Sequence, residues 1–223
     1  MKIEKGAIAI AAALPSLYAV SQEALSPIEF AEAQAGVDLT SVEITAETLR
    51  PGLHVLFGAG GNIGVSIGEQ GVLIVDDQYS SLVPKVQAAI RDLGGGDVDL
   101  VVNTHWHFDH SFGNPLFAGS GSLIISQENS REMMLSERIV DLVNVRVRQP
   151  ASAAISLPGI TYDDRMSLHF NGQRIDLLHF GAAHTTGDTA VIFRGDNVVH
   201  LGDIFNNWGY PFIDAGNGGD LEG

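Results

Sequence analysis

The stretch Thr104-His-Trp-His-Phe-Asp-His110 places three imidazoles and a carboxylate within six positions, His105 to His110. Neutral imidazole nitrogen and carboxylate oxygen are metal ligands by type. His105 and His107 stand two apart, so an extended backbone points both side chains the same way. Asp109 and His110 then offer a second pair on the turn that leaves the strand. Two metal ions held this way would lie about 3.5–4 Å apart and would suit metal-assisted hydrolysis. A His-rich exposed loop is the plainer alternative, but four ligand-type residues this dense at the end of an apolar run weigh against it.

The run resembles the HxHxDH motif of the metallo-β-lactamase fold superfamily, and matching features extend from about Leu53 to Asp203. The resemblance implies an α/β fold, a four-layered αββα sandwich with the metals at one edge between the sheets. It also implies further site residues. Gly181-Ala-Ala-His184-Thr-Thr-Gly-Asp188 resembles the family segment whose His completes the first site. His184 then joins His105 and His107 as a three-nitrogen set with an open position. Asp188 is expected to brace this loop, and Thr185 and Thr186 to form its turn. Gly202-Asp203 resembles the Gly-Asp pair whose carboxylate bridges both ions, with Asp109 and His110 on the second. Asp76 closes a strand where family members keep a carboxylate that holds the ligand loop or a ligand His; a turn or capping Asp is the other reading.

Zinc, one ion or two, is the implied cofactor, with iron or manganese as alternatives. Zinc lowers the pKa of bound water to about 7. The expected function is therefore hydrolysis of a small-molecule ester, thioester, lactone or lactam by a metal-activated hydroxide, with Asp109 as the catalytic group orienting it. Asp at position 203 is more like glyoxalase II and lactonases than like enzymes with a Cys ligand there. His107 stands where diiron reductases of this fold put Glu. Two alternatives stay open: a non-haem iron dioxygenase of the same fold, and an inactive metal-binding domain. Complete family members finish the second site with a later His, and none follows His200 here. The expectation is a chain incomplete at its C-terminus, with its second metal site in question.

Elements must carry these residues to one place. Asp99–Asn103 reads as a buried strand that delivers the motif. Gly71–Val75 is another, ending at Asp76. Between them Leu82–Leu93 reads as an amphipathic helix with Leu82, Val86, Ile90 and Leu93 on one face, closed by Gly94-Gly95-Gly96. Strand, helix, strand is the βαβ arrangement. Upstream, Val42–Leu49 reads as a first strand, and Leu53–Phe57 and Ile63–Ile67 as a hairpin around Gly58–Asn62. A dinucleotide fingerprint is rejected because no helix pattern follows those glycines; a flap beside the site and a plain turn are both open readings. Downstream, Ser122–Ser126 is a strand, Glu128–Val147 a charged amphipathic helix with Met133, Met134, Ile139 and Leu142 inward, and Gln149–Asp164 irregular. Met166–Phe170 and Arg174–Phe180 pair around Asn171-Gly172. Ala190–Phe193 and Val198–Leu201 pair around Gly195-Asp196-Asn197. His54, His169, His179 and His200 fall within strands and read as packed or partly exposed. Asn206–Phe212 either supplies aromatic and amide groups to a substrate pocket or covers the core.

Composition bounds the rest. The chain has 223 residues, 45% hydrophobic, with mean hydropathy +0.14, enough for one globular domain. A formal net charge of −15 argues against nucleic acid as a partner. Cysteine is absent, which excludes disulfides and thiolate ligands. Two lysines, then an apolar run from Gly6 to Leu14, resemble a secretory signal peptide over residues 1–21. That run is too short for a membrane span. The expected organisation is a signal peptide, a linker or short surface helix over 22–41, and the metallo-β-lactamase-like domain over 42–223. The expected location is periplasmic or secreted, with a small molecule as partner and no stable membrane insertion.

Overall fold

The computed structural model describes residues 23–207 and 209–222; the expected signal peptide and Trp208 lie outside them. The segment expected as a linker or short surface helix contains α1, Pro27–Ala35. Its start is a capping box, with the Ser26 hydroxyl accepting from Glu29 N–H and the Glu29 carboxylate accepting from Ser26 N–H. Pro27 opens the first turn and Gly36, at φ 67°, ends it. Ala31 is buried, and the Phe30 ring meets that of Phe108, just inside the motif, with centroids 5.9 Å apart. The segment is docked on the domain beside the motif rather than tethering it.

Seven strands form the first sheet: β1 (Thr45–Arg50), β2 (Leu53–Phe57), β3 (Ile63–Gly68), β4 (Gly71–Val75), β5 (Val98–Val102), β6 (Leu123–Gln127) and β9 (Ile160–Tyr162). The first four pair antiparallel; from β4 onward the pairing is parallel. Residues on β4 and β5 alternate between two apolar clusters, as expected of parallel strands covered on both faces. Ile74 and Val101 face a cluster that includes Val83, Val86 and Ile90 of α2 (Val83–Asp92) and Phe117. Leu73, Val75 and Val102 face the other sheet. Each fully buried Val or Ile in these layers contributes about 1.5–3 kcal/mol relative to exposure.

After β5 come the motif, a single helical turn α3 (Phe108–Ser111), and α4 (Asn114–Gly119), which carries Phe117. The expected long helix Glu128–Val147 is not formed. α5 spans Glu128–Met134 only, and β7 (Arg138–Leu142) and β8 (Val145–Gln149) follow as an antiparallel hairpin. Ile139, Val140, Val145 and Val147 are β-branched and lose rotamer freedom in a helix. In the hairpin Val140 lies opposite Val147, both buried, while Asp141 faces Arg146 on the exposed side. Of the four residues expected inward, Met134 is buried and Met133 and Leu142 pack against its cluster.

β9 (Ile160–Tyr162) completes the first sheet at its far edge. The second sheet, β10 (Arg165–Phe170), β11 (Gln173–Leu178), β12 (Ala190–Phe193) and β13 (Val198–His200), is antiparallel throughout. Its inner residues Ile175, Leu177, Val191 and Phe193 join Leu73, Val75, Val102 and Ile125 to form the core between the sheets. This is the mixed α/β, αββα-type sandwich expected. Asn171 and Gly172, at φ 51° and 75°, form the turn between β10 and β11. The Asn171 amide ties the sheets together at this end, donating to Ser66 Oγ and Gly71 O and accepting from Gln70 N–H. On the outer face, Asp176 accepts from Ser167, Arg174 and Arg194. These donors, Ser167 first, hold its carboxyl well below the usual carboxylate range.

Candidate metal centre

The ligand-type residues meet where β5, β11 and β13 run out. One nitrogen each from His105, His107 and His184 lie within 4.8 Å of one another, and so do donor atoms of His105, His110 and Asp203. All four imidazoles are buried. His107 Nδ1 stands 2.9 Å from His184 Nε2, and His110 Nε2 stands 3.2 Å from Asp203 Oδ1. Asp203 Oδ2 also reaches to 3.7 Å from His184 Nε2, so this carboxylate lies between the two groups. Asp109 falls outside both and stands beside the second, its Oδ2 3.7 Å from His110 Nε2 and its side chain partly open to solvent. Trp106, between the two motif histidines, is fully buried on the side of α1.

Each imidazole has its outer nitrogen held by a group that dictates where its proton sits. Asp214 Oδ2 can only accept, so His107 carries its proton on Nε2, 3.0 Å away. The Phe212 carbonyl can only accept, so His184 carries its proton on Nδ1, at 2.6 Å. Asp76 Oδ2 accepts from His110 Nδ1 at 2.8 Å and from the Thr104 hydroxyl at 2.8 Å. With its hydrogen committed to Asp76, Thr104 Oγ1 accepts from His105 Nδ1, 3.1 Å away. Neutral and with those tautomers, each imidazole turns a bare lone pair inward; His110 Nε2, 3.2 Å from Asp203 Oδ1, does so once its second proton is lost. His107 Nδ1 and His184 Nε2 face each other as two acceptors, and His105 Nε2 and His110 Nε2 are buried without a hydrogen-bond partner. Unpaired buried polar atoms cost about 1–3 kcal/mol each. Four of them converging in one place fit a metal cation, and three nitrogens with an adjoining nitrogen–oxygen pair suit zinc, with iron and manganese also compatible.

The electrostatics set the two groups apart. Burial, then the neighbouring imidazoles, push His105 well below its ordinary value, which keeps it neutral as a ligand must be. Burial and His107 lower His184 in the same way. His110 goes the other way. Burial opposes its charging, but Asp203, Asp109 and Asp76 raise it well above its ordinary value. Burial likewise opposes ionisation of Asp203, yet His110 holds its carboxyl below the usual range. The second group thus attracts positive charge, whether proton or metal.

Asp76 is the strand-end residue expected to support the ligand loop or to form a turn. It takes a left-handed φ of 64°, and besides His110 it accepts the Thr104 N–H on Oδ1 at 2.7 Å. Asp188 braces the His184 turn by accepting from Thr185 N–H and Oγ1. The β2–β3 loop lies directly on the second group. A Cβ on Gly61 would sit on the His110 ring, and one on Gly60 would come 2.7 Å from Asp109 Cβ. Gly61 N–H donates to Asp109 O, and Gln78 Nε2 to Gly61 O. His200 donates from Nε2 to Asn62 O and accepts from Gly202 N–H, which links this loop to the Asp203 turn.

The segment after Asp203 holds what sequence reasoning missed. It gave Asn206–Phe212 two open readings and the residues beyond no role. Asp214 is buried behind His107, and its backbone N–H donates to His184 O. Asn217 Nδ2 donates to both Asp214 oxygens, and Asp220 N–H donates to Ala183 O. A Cβ on Gly219 would come 2.5 Å from His184 O, so glycine lets the segment close against the ligand. The only signal in the sequence was an acidic residue amid glycines after the Gly-Asp pair.

A family model for the metallo-β-lactamase superfamily matches residues 54–222. Among solved structures, a native metallo-β-lactamase from Legionella gormanii superposes with TM-score 0.60 at 18% identity, covering 81% of this chain and 71% of that one. A Cronobacter sakazakii metallo-β-lactamase with a HARLDQ motif gives TM-score 0.58 at 20% identity, covering 76% and 66%. A class B3 enzyme described as di-zinc, from an Alaskan soil metagenome, gives 0.57 at 16%, covering 70% and 59%. The chain thus spans about three-fifths to seven-tenths of the length of these enzymes. The matched span takes in the whole ligand cluster, and the chain belongs to the metallo-β-lactamase superfamily.

Proposed function

We propose that this chain is a zinc-dependent hydrolase of small molecules, acting on an ester, thioester, lactone or lactam. The observation that carries the reading is the set of four buried imidazoles whose outer partners turn four lone pairs inward. His105, His107 and His184 would hold a first ion; His110, Asp203 and Asp109 would hold a second, with Asp203 between the two. The di-zinc description of one structural neighbour supports this metal choice. Zinc in such a site supplies Lewis acidity, lowering the pKa of water from 15.7 to about 7 and polarising a carbonyl oxygen. Asp109, partly solvent-accessible beside His110, would orient the attacking water. Asp76 and Asp214 would hold the rings of His110 and His107 in register, the role that carboxylates behind ligand histidines play, and Asp188 would brace the turn that carries His184. Among the described residues no helix is long and apolar enough to cross a membrane. With residues 1–21 read as a signal peptide, a periplasmic or secreted location follows.

The test is turnover on a panel of neutral esters, thioesters, lactones and β-lactams, with metal content and oxygen uptake followed in parallel. Turnover that disappears with chelator and in His107→Ala is the expected result. A folded, metal-loaded chain that turns over none of the panel, or one that holds iron and consumes oxygen, overturns the reading.

A further inference from the structure

We propose that the cavity beside His184 receives an apolar substituent of the substrate, uncharged or cationic, and selects against an anionic one. This rests on the hydrolase reading above and narrows its substrate. The cavity encloses about 250 Å³, with His184 in one wall and Ile204, the residue after Asp203, in another. One candidate ligand, His184, therefore stands in its wall. Pro211, Ile213 and Leu221 make most of the remaining wall apolar, Tyr210 adds a ring with a phenol, and Asp220 is the only carboxylate among the described lining residues.

No described Lys or Arg lines this cavity. Arg174 and Arg194 are held by Asp176, Arg146 by Asp141 and Arg148 by Glu137. An anionic group placed here would leave water for apolar walls and face Asp220 without a counter-cation. A hydrocarbon chain gains from the same walls, and an ammonium at its end gains Asp220 as a partner. The volume corresponds to about eight water-sized groups, which suits a chain of roughly that many carbons.

The experiment titrates the purified, zinc-supplemented chain with three amides that differ only at the far end: octanamide, 8-aminooctanamide and 7-carboxyheptanamide. Binding is followed by NMR. The amide end is common to all three, and intermolecular NOEs from the far end to Ile213 and Leu221 select the binding mode that reports on the cavity. The expected order places 7-carboxyheptanamide about tenfold or more weaker than the other two. Asp220→Asn should narrow that gap and Asp220→Lys should close or reverse it. The Asp220 side chain is exposed and its backbone bond to Ala183 is retained in both variants. The proposal is overturned if 7-carboxyheptanamide binds as tightly as octanamide, if none of the three binds saturably, or if Asp220→Lys leaves the order unchanged. Zinc content of the same samples reports on the hydrolase reading separately. A metal-free chain that keeps the order loses the hydrolase and retains the cavity; a zinc-loaded chain without the order does the reverse.

Discussion

Asp214→Asn tests the link between a carboxylate and a metal ligand far away in the chain. The Asp214 side chain is buried, and its two oxygens take three contacts: His107 Nε2 at 3.0 Å and Asn217 Nδ2 at 3.0 and 2.9 Å. Asparagine keeps one oxygen and places an amide N–H₂ where the other oxygen stood. With its oxygen at the Oδ2 position asparagine still accepts from both donors, but its own N–H₂ is then set against Asn217 Nδ2; turned the other way it meets the His107 Nε2–H with an N–H₂. Either costs about 1–3 kcal/mol of stability. Its effect on metal is separate. The carboxylate fixes the Nε2–H tautomer and raises the basicity of Nδ1, and changing such partners typically costs about 10–100-fold in metal affinity. At about 1.4 kcal/mol per tenfold, this is about 1.4–2.8 kcal/mol. The assay is competition for zinc against a chromophoric chelator, with circular dichroism to establish folding. Glu137→Gln, which removes only an exposed pairing with Arg148, is the control. The expected result is a first-site Kd weakened within that range in Asp214→Asn and unchanged in Glu137→Gln. A folded Asp214→Asn chain with zinc affinity within about twofold of wild type would refute the reasoning.

Three other perturbations separate the second site and the scaffold from the first. Gly61→Ala puts a methyl on the His110 ring, so metal stoichiometry should fall while the His105–His107–His184 site keeps its ion. Asn171→Ala removes the side-chain bonds that stitch the two sheets at the end away from the metals. It should cost about 1–3 kcal/mol in urea unfolding, with metal content unchanged. Asp176→Ala removes the acceptor shared by Ser167, Arg174 and Arg194 and should lower the urea midpoint at neutral pH. Because the folded-state pKa of Asp176 is depressed, its contribution is present above the usual carboxylate range and is lost as pH falls through the folded value. The gap between Asp176→Ala and wild type should therefore shrink towards low pH; a gap that widens there would contradict the assignment.

Local signals made much of this molecule legible. The motif could be placed at a strand end because Asp99–Asn103 is an apolar run followed at once by alternating ligands, and β5 ends at Val102, just before them. Asn171-Gly172 announced its hairpin because few other pairs take two positive φ values in a row. α1 was equally visible in Ser26, Pro27 and Glu29, though composition left the segment open between a linker and a short surface helix. The β7–β8 hairpin was hidden. Met133, Met134, Ile139 and Leu142 imitate a helical stripe, whereas the period-2 burial of Val140 and Val147 depends on pairing that only the tertiary structure supplies. Asp214 was beyond reach for another reason. Its partner His107 lies 107 positions away, and no local pattern marks a carboxylate whose work is to orient a distant ring. Asp109 shows the same limit on a smaller scale: the motif groups it with His110, but the backbone leaves its carboxylate at the edge of the cluster.

The account turns on lone pairs of His105, His107 and His184 converging on a cation. The most direct measurement is elemental analysis of the purified, folded chain after exhaustive dialysis against metal-free buffer. The account expects at least one zinc retained per chain, and one fewer in His184→Ala. A folded wild-type chain that retains no metal, or a His184→Ala chain that retains as much as wild type, would contradict it.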